Sequence, residues 1–113
     1  MISPGFTRQM AAYNRWQNTS LYKAASGLSE ADRRLDRAAF FNSIHKTLAH
    51  LVWADRIWLS RFGACDAPAG GIATSTEWLD DWAELKAARQ ETDQTLIEWT
   101  HTLTDTDIEG VLE

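Results

Sequence analysis

Residues 44–62 read IHKTLAHLVWADRIWLSRF, and this stretch decides the fold class of the chain. Large apolar side chains and one carboxylate recur there at steps of four and three residues, which places them on one stripe of an α-helix. The stripe consists of Ile44, Leu48, Leu51, Asp55, Trp58 and Phe62. Other apolar residues, among them Val52, Trp53 and Ile57, cover most of the remaining circumference. A helix that is apolar on nearly all sides is buried, so this segment is predicted to be the central helix.

Helix-breaking residues stand only at the ends of long segments, at Pro4, Gly5, Gly27, Gly63, 68–71 and Gly110. This spacing predicts three long helices over residues 6–25, 43–62 and 77–103, the second of which ends at Gly63. No stretch alternates apolar and polar residues as a strand would, so the predicted fold class is all-α, a helical bundle. The side chains predicted to be buried are Leu48, Leu51, Trp58, Trp82 and Leu96.

The flanking segments carry weaker patterns of their own. Apolar residues of the first helix approximate one face, which Asn14 and Gln17 interrupt; the face consists of Phe6, Met10, Tyr13, Leu21 and Ala24. Ser29 is a typical N-cap for a short turn of helix after Gly27. Candidate N-caps for the last helix are Thr74, Ser75 and Thr76.

Length and charge exclude several classes of protein. The 113 residues fit one domain, 1–113, and no run approaches the ~20 apolar residues of a membrane span. The net charge of −5 argues against a nucleic-acid partner, because such proteins present a basic surface. The N-terminus lacks a secretory signal, and the single Cys65 suits a reducing compartment, so a cytoplasmic location is predicted. Nothing beside Cys65 would activate it as a nucleophile.

Two polar residues of the central helix are candidates for chemistry. Two interpretations of His50 are open. It is either a neutral core histidine that is hydrogen-bonded to a neighbour, or a group that binds a ligand or transfers a proton. His45 lies ~140° away around the helix axis and cannot bind the same ion from the same face. Asp55 interrupts the apolar stripe, so it needs a partner on the first helix, with Asn14 or Trp16 the best-placed donor. Its alternative role is to orient a metal-bound histidine. His101, near the end of the last helix, is expected at the surface.

The same residues resemble the DinB family over almost the whole chain. Residues 13–18 (YNRWQN), followed by Leu21 and Tyr22, are similar to the signature of the family's first helix. Residues 36–62 resemble the block around its second helix nearly position for position. The third helix is similar but less distinctive, with Arg89, Asp93, Leu96 and Trp99.

The resemblance implies an up-down-down-up four-helix bundle with a metal site. That site uses one histidine of the second helix in the context Thr-Leu-x-His, where His50 stands, and a His-x-x-x-His pair on the last helix. The pair has no counterpart in this chain, which therefore resembles the first three helices of the bundle. A divalent metal such as zinc or nickel is expected in the complete domain, with the site absent or incomplete in these 113 residues.

The implied function is that of a metal-dependent hydrolase or thiol-dependent transferase acting on a small molecule, with chemistry in the complete domain alone. The family name adds an association with damage-inducible expression. Whether the chain is an enzyme stays open. The alternative is a non-catalytic dimerising or ligand-binding bundle in which His50 is a structural remnant. Because two other helices cannot cover an apolar central helix, a homodimer is expected in either case.

Overall fold

The computed structural model describes residues 3–38 and 41–103. Within these ranges the chain forms four α-helices and no strand: α1 (Pro4–Ser26), α2 (Glu30–Arg34), α3 (Ile44–Arg61) and α4 (Trp82–Thr102). A 3-10 turn, Ile72–Thr74, lies in the connection between α3 and α4. The prediction of an all-α helical bundle is confirmed. None of the helices in the described ranges has the length and apolar character needed to cross a membrane.

Polar side chains fix the starts of the first three helices. Ser3 caps α1 by accepting a hydrogen bond from the backbone N–H of Phe6, and Ser43 caps α3 by accepting one from Lys46. Ser29 caps α2 in the same way. Each hydroxyl satisfies one of the N–H groups that a helix leaves unpaired at its start. Helices α1 and α3 begin within two residues of their predicted starts at 6 and 43.

Gly63 ends α3, as predicted. Its φ of +77° turns the chain out of the helix, a conformation that glycine adopts without steric cost. The N–H of Gly63 donates to the carbonyl of Ser60, and that of Ala64 donates to the carbonyl of Leu59. This pair of bonds is the Schellman pattern, which satisfies the last carbonyls of the helix.

The last long helix begins at Trp82, five residues later than predicted. Its N-cap is the carboxylate of Asp81, whereas the expected caps at 74–76 fall in and just after the 3-10 turn. Tertiary bonds hold the intervening segment out of a helix. The indole N–H of Trp78, for example, donates to the carbonyl of Ala49 on α3 at 2.9 Å.

The middle element of the bundle is α4, which packs against both α1 and α3. The prediction of a central α3 is therefore wrong. The buried apolar cluster consists of Tyr22, Ala25, Leu48, Ala49, Val52 and Leu85, with Trp78 and Trp82 packed on its edge. Trp82 lies between elements, with its ring stacked on that of Tyr22 at 5.5 Å and the guanidinium of Arg33 4.5 Å from its centroid.

The inward face of α1 also differs from the predicted one. The buried residues of this helix are Ala11, Tyr22 and Ala25. Exposed instead are Phe6, Met10, Tyr13 and Leu21, which belong to the face that the apolar pattern had placed inside. Two of the three buried residues, Ala11 and Ala25, are small, and they lie on the side of α1 that packs against α4.

The buried stripe of α3 is rotated by roughly a quarter turn from the predicted stripe. Leu48 is buried as predicted, but Leu51 is 45% exposed and Trp58 58% exposed. Trp82 and Leu96 of α4 are partly buried. The residues of α3 that turn inward are His45, Leu48, Ala49, Val52 and Leu59. The rotation follows from contact with a single long partner, α4, which covers one flank of an all-round apolar helix and leaves another open.

Candidate functional site

His50 lies on the face of α3 that meets the connection to α4. The imidazole is half-buried, and its Nδ1 is 2.7 Å from the hydroxyl oxygen of Ser75. The ring stacks on Phe41 with 4.1 Å between centroids, and Trp53 lies beyond at 6.2 Å. The sequence predicted a ring that points into a groove free for a further helix. In the structure Phe41 and Ser75 cover part of it.

The hydrogen bonds of Ser75 decide which nitrogen of His50 carries the proton. Ser75 is fully buried, and its hydroxyl donates to the carbonyl of Ile72 at 2.7 Å. A carbonyl can only accept, so the single hydroxyl hydrogen is committed to Ile72. The oxygen of Ser75 is then an acceptor toward His50, which must donate from Nδ1. This leaves the lone pair on Nε2, and Nε2 makes no hydrogen bond within the described residues.

His45 occupies a separate environment, as its spacing from His50 predicts. The side chain is 1% exposed, and its Nε2 donates to the carbonyl of Leu79 at 2.8 Å. Its ring lies 5.9 Å from that of Trp82. Nδ1 is buried without a partner in the part of the chain that the structure describes. His45 therefore links α3 to the segment that precedes α4, and among the described residues it shares no hydrogen-bond partner with His50.

The donor set of the described residues does not complete a metal site. Nowhere in 3–38 and 41–103 do three or more histidine, cysteine or acidic side chains come together in a way that could hold an ion. A catalytic zinc site needs three protein ligands. His50 has the chemistry of one such ligand, and these residues alone do not fit a bound catalytic metal. His101 is exposed, as predicted.

Asp55 pairs with the last helix rather than the first. Its side chain is 43% exposed, and it accepts a hydrogen bond from Nη2 of Arg89 at 2.7 Å. The expected donors, Asn14 and Trp16, are not its partners. Asn14 instead lines an apolar cavity between α1 and α4 beside Met10. Asp55 tolerates its place on the apolar stripe because that stripe faces outward and because a cation reaches it from α4.

Asp93 is the carboxylate that is truly buried. It is 3% exposed, and its Oδ1 accepts a hydrogen bond from Nε of Arg89 at 3.0 Å and forms an ion pair with Nη2 at 2.7 Å. The amide of Asn18 on α1 donates to the same oxygen at 2.9 Å. Burial raises the pKa of the Asp93 carboxyl, and the neighbouring Arg89 opposes that rise. The network joins α4 to α3 through the Arg89 guanidinium and to α1 through the Asp93 carboxylate.

Sequence reasoning missed Arg89, Asp93 and Ser75 as structural groups. A signal for the first two existed, because they are four residues apart and share a helical stripe with Leu85 and Leu96. Charges on an apolar stripe indicate a buried pair. Ser75 carried no such signal, because its contact with His50 spans 25 residues and depends on how the connection folds.

Comparison with protein families identifies the fold. The model of the DinB family matches residues 1–111, nearly the whole chain. The chain belongs to the DinB family. Comparison of this DinB chain with curated proteins and with solved structures gives no significant match. The family resemblance of the helical segments is thus confirmed.

The buried network predicts unequal costs for its two carboxylates. Asp93→Ala leaves the Asn18 amide and Nε of the buried Arg89 without their acceptor, so we expect a loss of about 3 kcal/mol in the free energy of unfolding. Asp55→Ala removes a half-exposed partner whose place water can take, and we expect about 1 kcal/mol or less. Urea denaturation followed by circular dichroism measures both. Equal losses would contradict the assignment of Asp93 as the central acceptor.

Proposed function

We propose that this DinB chain supplies one imidazole ligand, His50 Nε2, to a divalent metal site of a small-molecule hydrolase or thiol-dependent transferase. The other ligands come from outside residues 3–38 and 41–103. The observation that carries the proposal is the bond between His50 Nδ1 and Ser75. It fixes the ring orientation and presents the unprotonated nitrogen, which is the form that binds a metal.

The residues around His50 suit this role. Ser75 is anchored by Ile72, so the imidazole cannot rotate about its own bond without breaking a buried hydrogen bond. Phe41 and Trp53 stack against the imidazole and limit access of water to the parts of the ring that they cover. When bound, a zinc or nickel ion with an open coordination position activates water or a thiol. His50 contributes orientation and one donor, and the described residues alone are expected to be catalytically inactive.

Metal content tests the proposal. The chain is extended beyond Glu113 by a helix that carries His-x-x-x-His, loaded with zinc or nickel, dialysed and analysed for metal by mass spectrometry. We expect about one ion per extended chain and close to none in residues 1–113, because one histidine cannot hold a catalytic metal. His50→Ala should empty the extended form, whereas the exposed His101→Ala should not. Stoichiometric metal in the extended His50→Ala variant would contradict the proposal, and metal in neither form would favour a non-catalytic bundle.

The tautomer of His50 is tested without any metal. Nitrogen-15 spectra of the neutral imidazole should show the proton on Nδ1 in the natural sequence. Ser75→Ala removes the acceptor, so we expect a shift of the tautomer population toward Nε2–H. Ser60→Ala is the matched control, since its hydroxyl bonds the carbonyl of Ile57 on the same helix and does not touch His50. A population that Ser75→Ala leaves unchanged would show that Ser75 does not set the tautomer.

A second candidate function, self-association, has an observation of its own. Large apolar side chains form a continuous surface from the start of α1 across the end of α4 to α3. We call it the apolar patch; it consists of Phe6, Met10, Leu96, Trp99, Phe62 and Trp58. The rings of Phe62 and Trp99 stack at 5.0 Å, which joins the α3 part to the α4 part. Tyr13, Leu21 and Leu51 extend the exposed apolar surface on α1 and α3.

The size of this surface fits an interface between two copies. Seven large apolar side chains are each between 40% and 58% accessible: Phe6, Met10, Trp58 and Phe62 of the patch, and Tyr13, Leu21 and Leu51 outside it. A large side chain has on the order of 200 Å² to bury, so these seven residues offer about 700 Å², close to the ~800 Å² that each partner contributes to a stable complex. We propose that the chain forms a homodimer through the apolar patch.

Light scattering at micromolar concentration measures the mass. We expect a dimer for the natural sequence and a monomer for Trp58→Lys, because the charge would be buried unpaired in the interface. Ile72→Lys is the matched control: Ile72 is 72% exposed on the 3-10 turn, outside the patch. A natural chain that is monomeric, or an Ile72→Lys variant that dissociates as fully as Trp58→Lys, would contradict the assignment.

A further inference from the structure

A second cavity of about 320 Å³ lies between α1 and α4, away from His50. Residues 18–26 of α1 and 86–93 of α4 line it. Its members Thr19 and Lys23 are on the side of α1 turned away from Met10, since nine residues correspond to about 180° around a helix. The cavity is therefore separate from the apolar patch. Its volume is at the lower end of the range for small-molecule sites.

Tyr22 forms part of the wall and carries an unpaired polar atom. The residue is 7% exposed, and its hydroxyl has no hydrogen-bond partner within the described residues. The ring is held by its stack on Trp82, at 5.5 Å and nearly parallel. Burial raises the pKa of the phenol, so it stays protonated and is a donor at neutral pH. The hydroxyl oxygen itself is enclosed by protein, so the cavity meets the rest of the Tyr22 side chain as a wall and not the hydroxyl as a donor.

The cavity has an excess of positive charge in an otherwise acidic chain. Lys23, Lys86 and Arg89 line it, against the single carboxylate of Asp93. Asp93 is already bonded to Arg89 and Asn18. Neither lysine takes part in an ion pair within the ranges that the structure describes. The lysine stems and the Tyr22 ring provide apolar walls behind these charges.

We propose that this cavity binds a small organic carboxylate. Lys23 and Lys86 pair with the carboxylate, and the apolar body lies against the Tyr22 side chain and the lysine stems. Arg89 is already paired with Asp55 and Asp93, so it attracts the bound carboxylate only at long range. The proposal does not depend on a metal at His50, because no residue of that site lines the cavity.

Benzoate is the probe, and benzamide is its uncharged counterpart. Titration of the full chain is followed in proton–nitrogen correlation spectra. We expect benzoate to shift the resonances of Lys23, Lys86 and the Trp82 indole with a Kd on the order of 1 mM, and benzamide to leave them in place. Absence of shifts up to ~10 mM benzoate, or equal shifts with benzamide, would overturn the proposal. Shifts with inorganic phosphate alone would overturn the assignment to a carboxylate.

Variants assign the binding to the cavity. The double variant Lys23→Gln with Lys86→Gln should weaken benzoate binding by about tenfold or more. Arg8→Gln with Lys46→Gln changes the net charge equally outside the cavity and should leave the Kd unchanged. Tyr22→Phe keeps the stack on Trp82 and removes a hydroxyl that does not open into the cavity, so it should fold and we expect the Kd to stay within about twofold. A control pair that weakens binding as much as the cavity pair would show non-specific attraction and refute the site.

Discussion

The guanidinium of Arg89 is the group on which the packing of the three long helices depends. It holds Asp93 on its own helix and Asp55 on α3, while Asn18 of α1 binds the same oxygen of Asp93. Taking a guanidinium out of water costs several kcal/mol unless its donors are matched by acceptors. Arg89 is 4% exposed, so α4 must remain in contact with α3, which supplies the Asp55 acceptor. The buried Asp93 carboxylate also takes the amide donor of Asn18 on α1. Together these two bonds make α4 the middle helix.

The polar network also explains why so much apolar surface stays outside. The side of α1 that meets α4 must present Asn18 to Asp93, and Ala11, Tyr22 and Ala25 share that side. The larger apolar residues of α1, such as Phe6 and Met10, then face away from the contact. On α3 the same arrangement turns Asp55 toward Arg89 and leaves Trp58 exposed. Satisfying one buried cation thus creates the apolar patch.

Local signals were sufficient to predict the helices, and long-range bonds decided how they face. Ser43 and Gly63 act on their immediate neighbours, so the bounds of α3 followed from the sequence. The inward side of α1 did not, because the bond between Asn18 and Asp93 joins residues 75 positions apart. The start of α4 was misplaced for the same reason: bonds from Trp78 and to Leu79 hold the preceding segment against α3. The helical pattern left two interpretations of His50 open, a core histidine or a ligand-binding group. The orientation of its ring depends on the hydrogen bond with Ser75, which no local pattern predicts.

The candidate ligand and the apolar patch lie on one row of α3. His50, Ala54 and Trp58 are spaced by four residues, so they follow one another along the same side of the helix over about 12 Å. Ala54 is small, and a helix laid along this row can approach α3 closely between the two larger side chains. Such a helix would bury the Trp58 ring and bring its own side chains to the open Nε2 of His50. The covering of this apolar surface and the completion of the proposed metal site would therefore be one packing event, whether the helix belonged to the same chain or to a second copy.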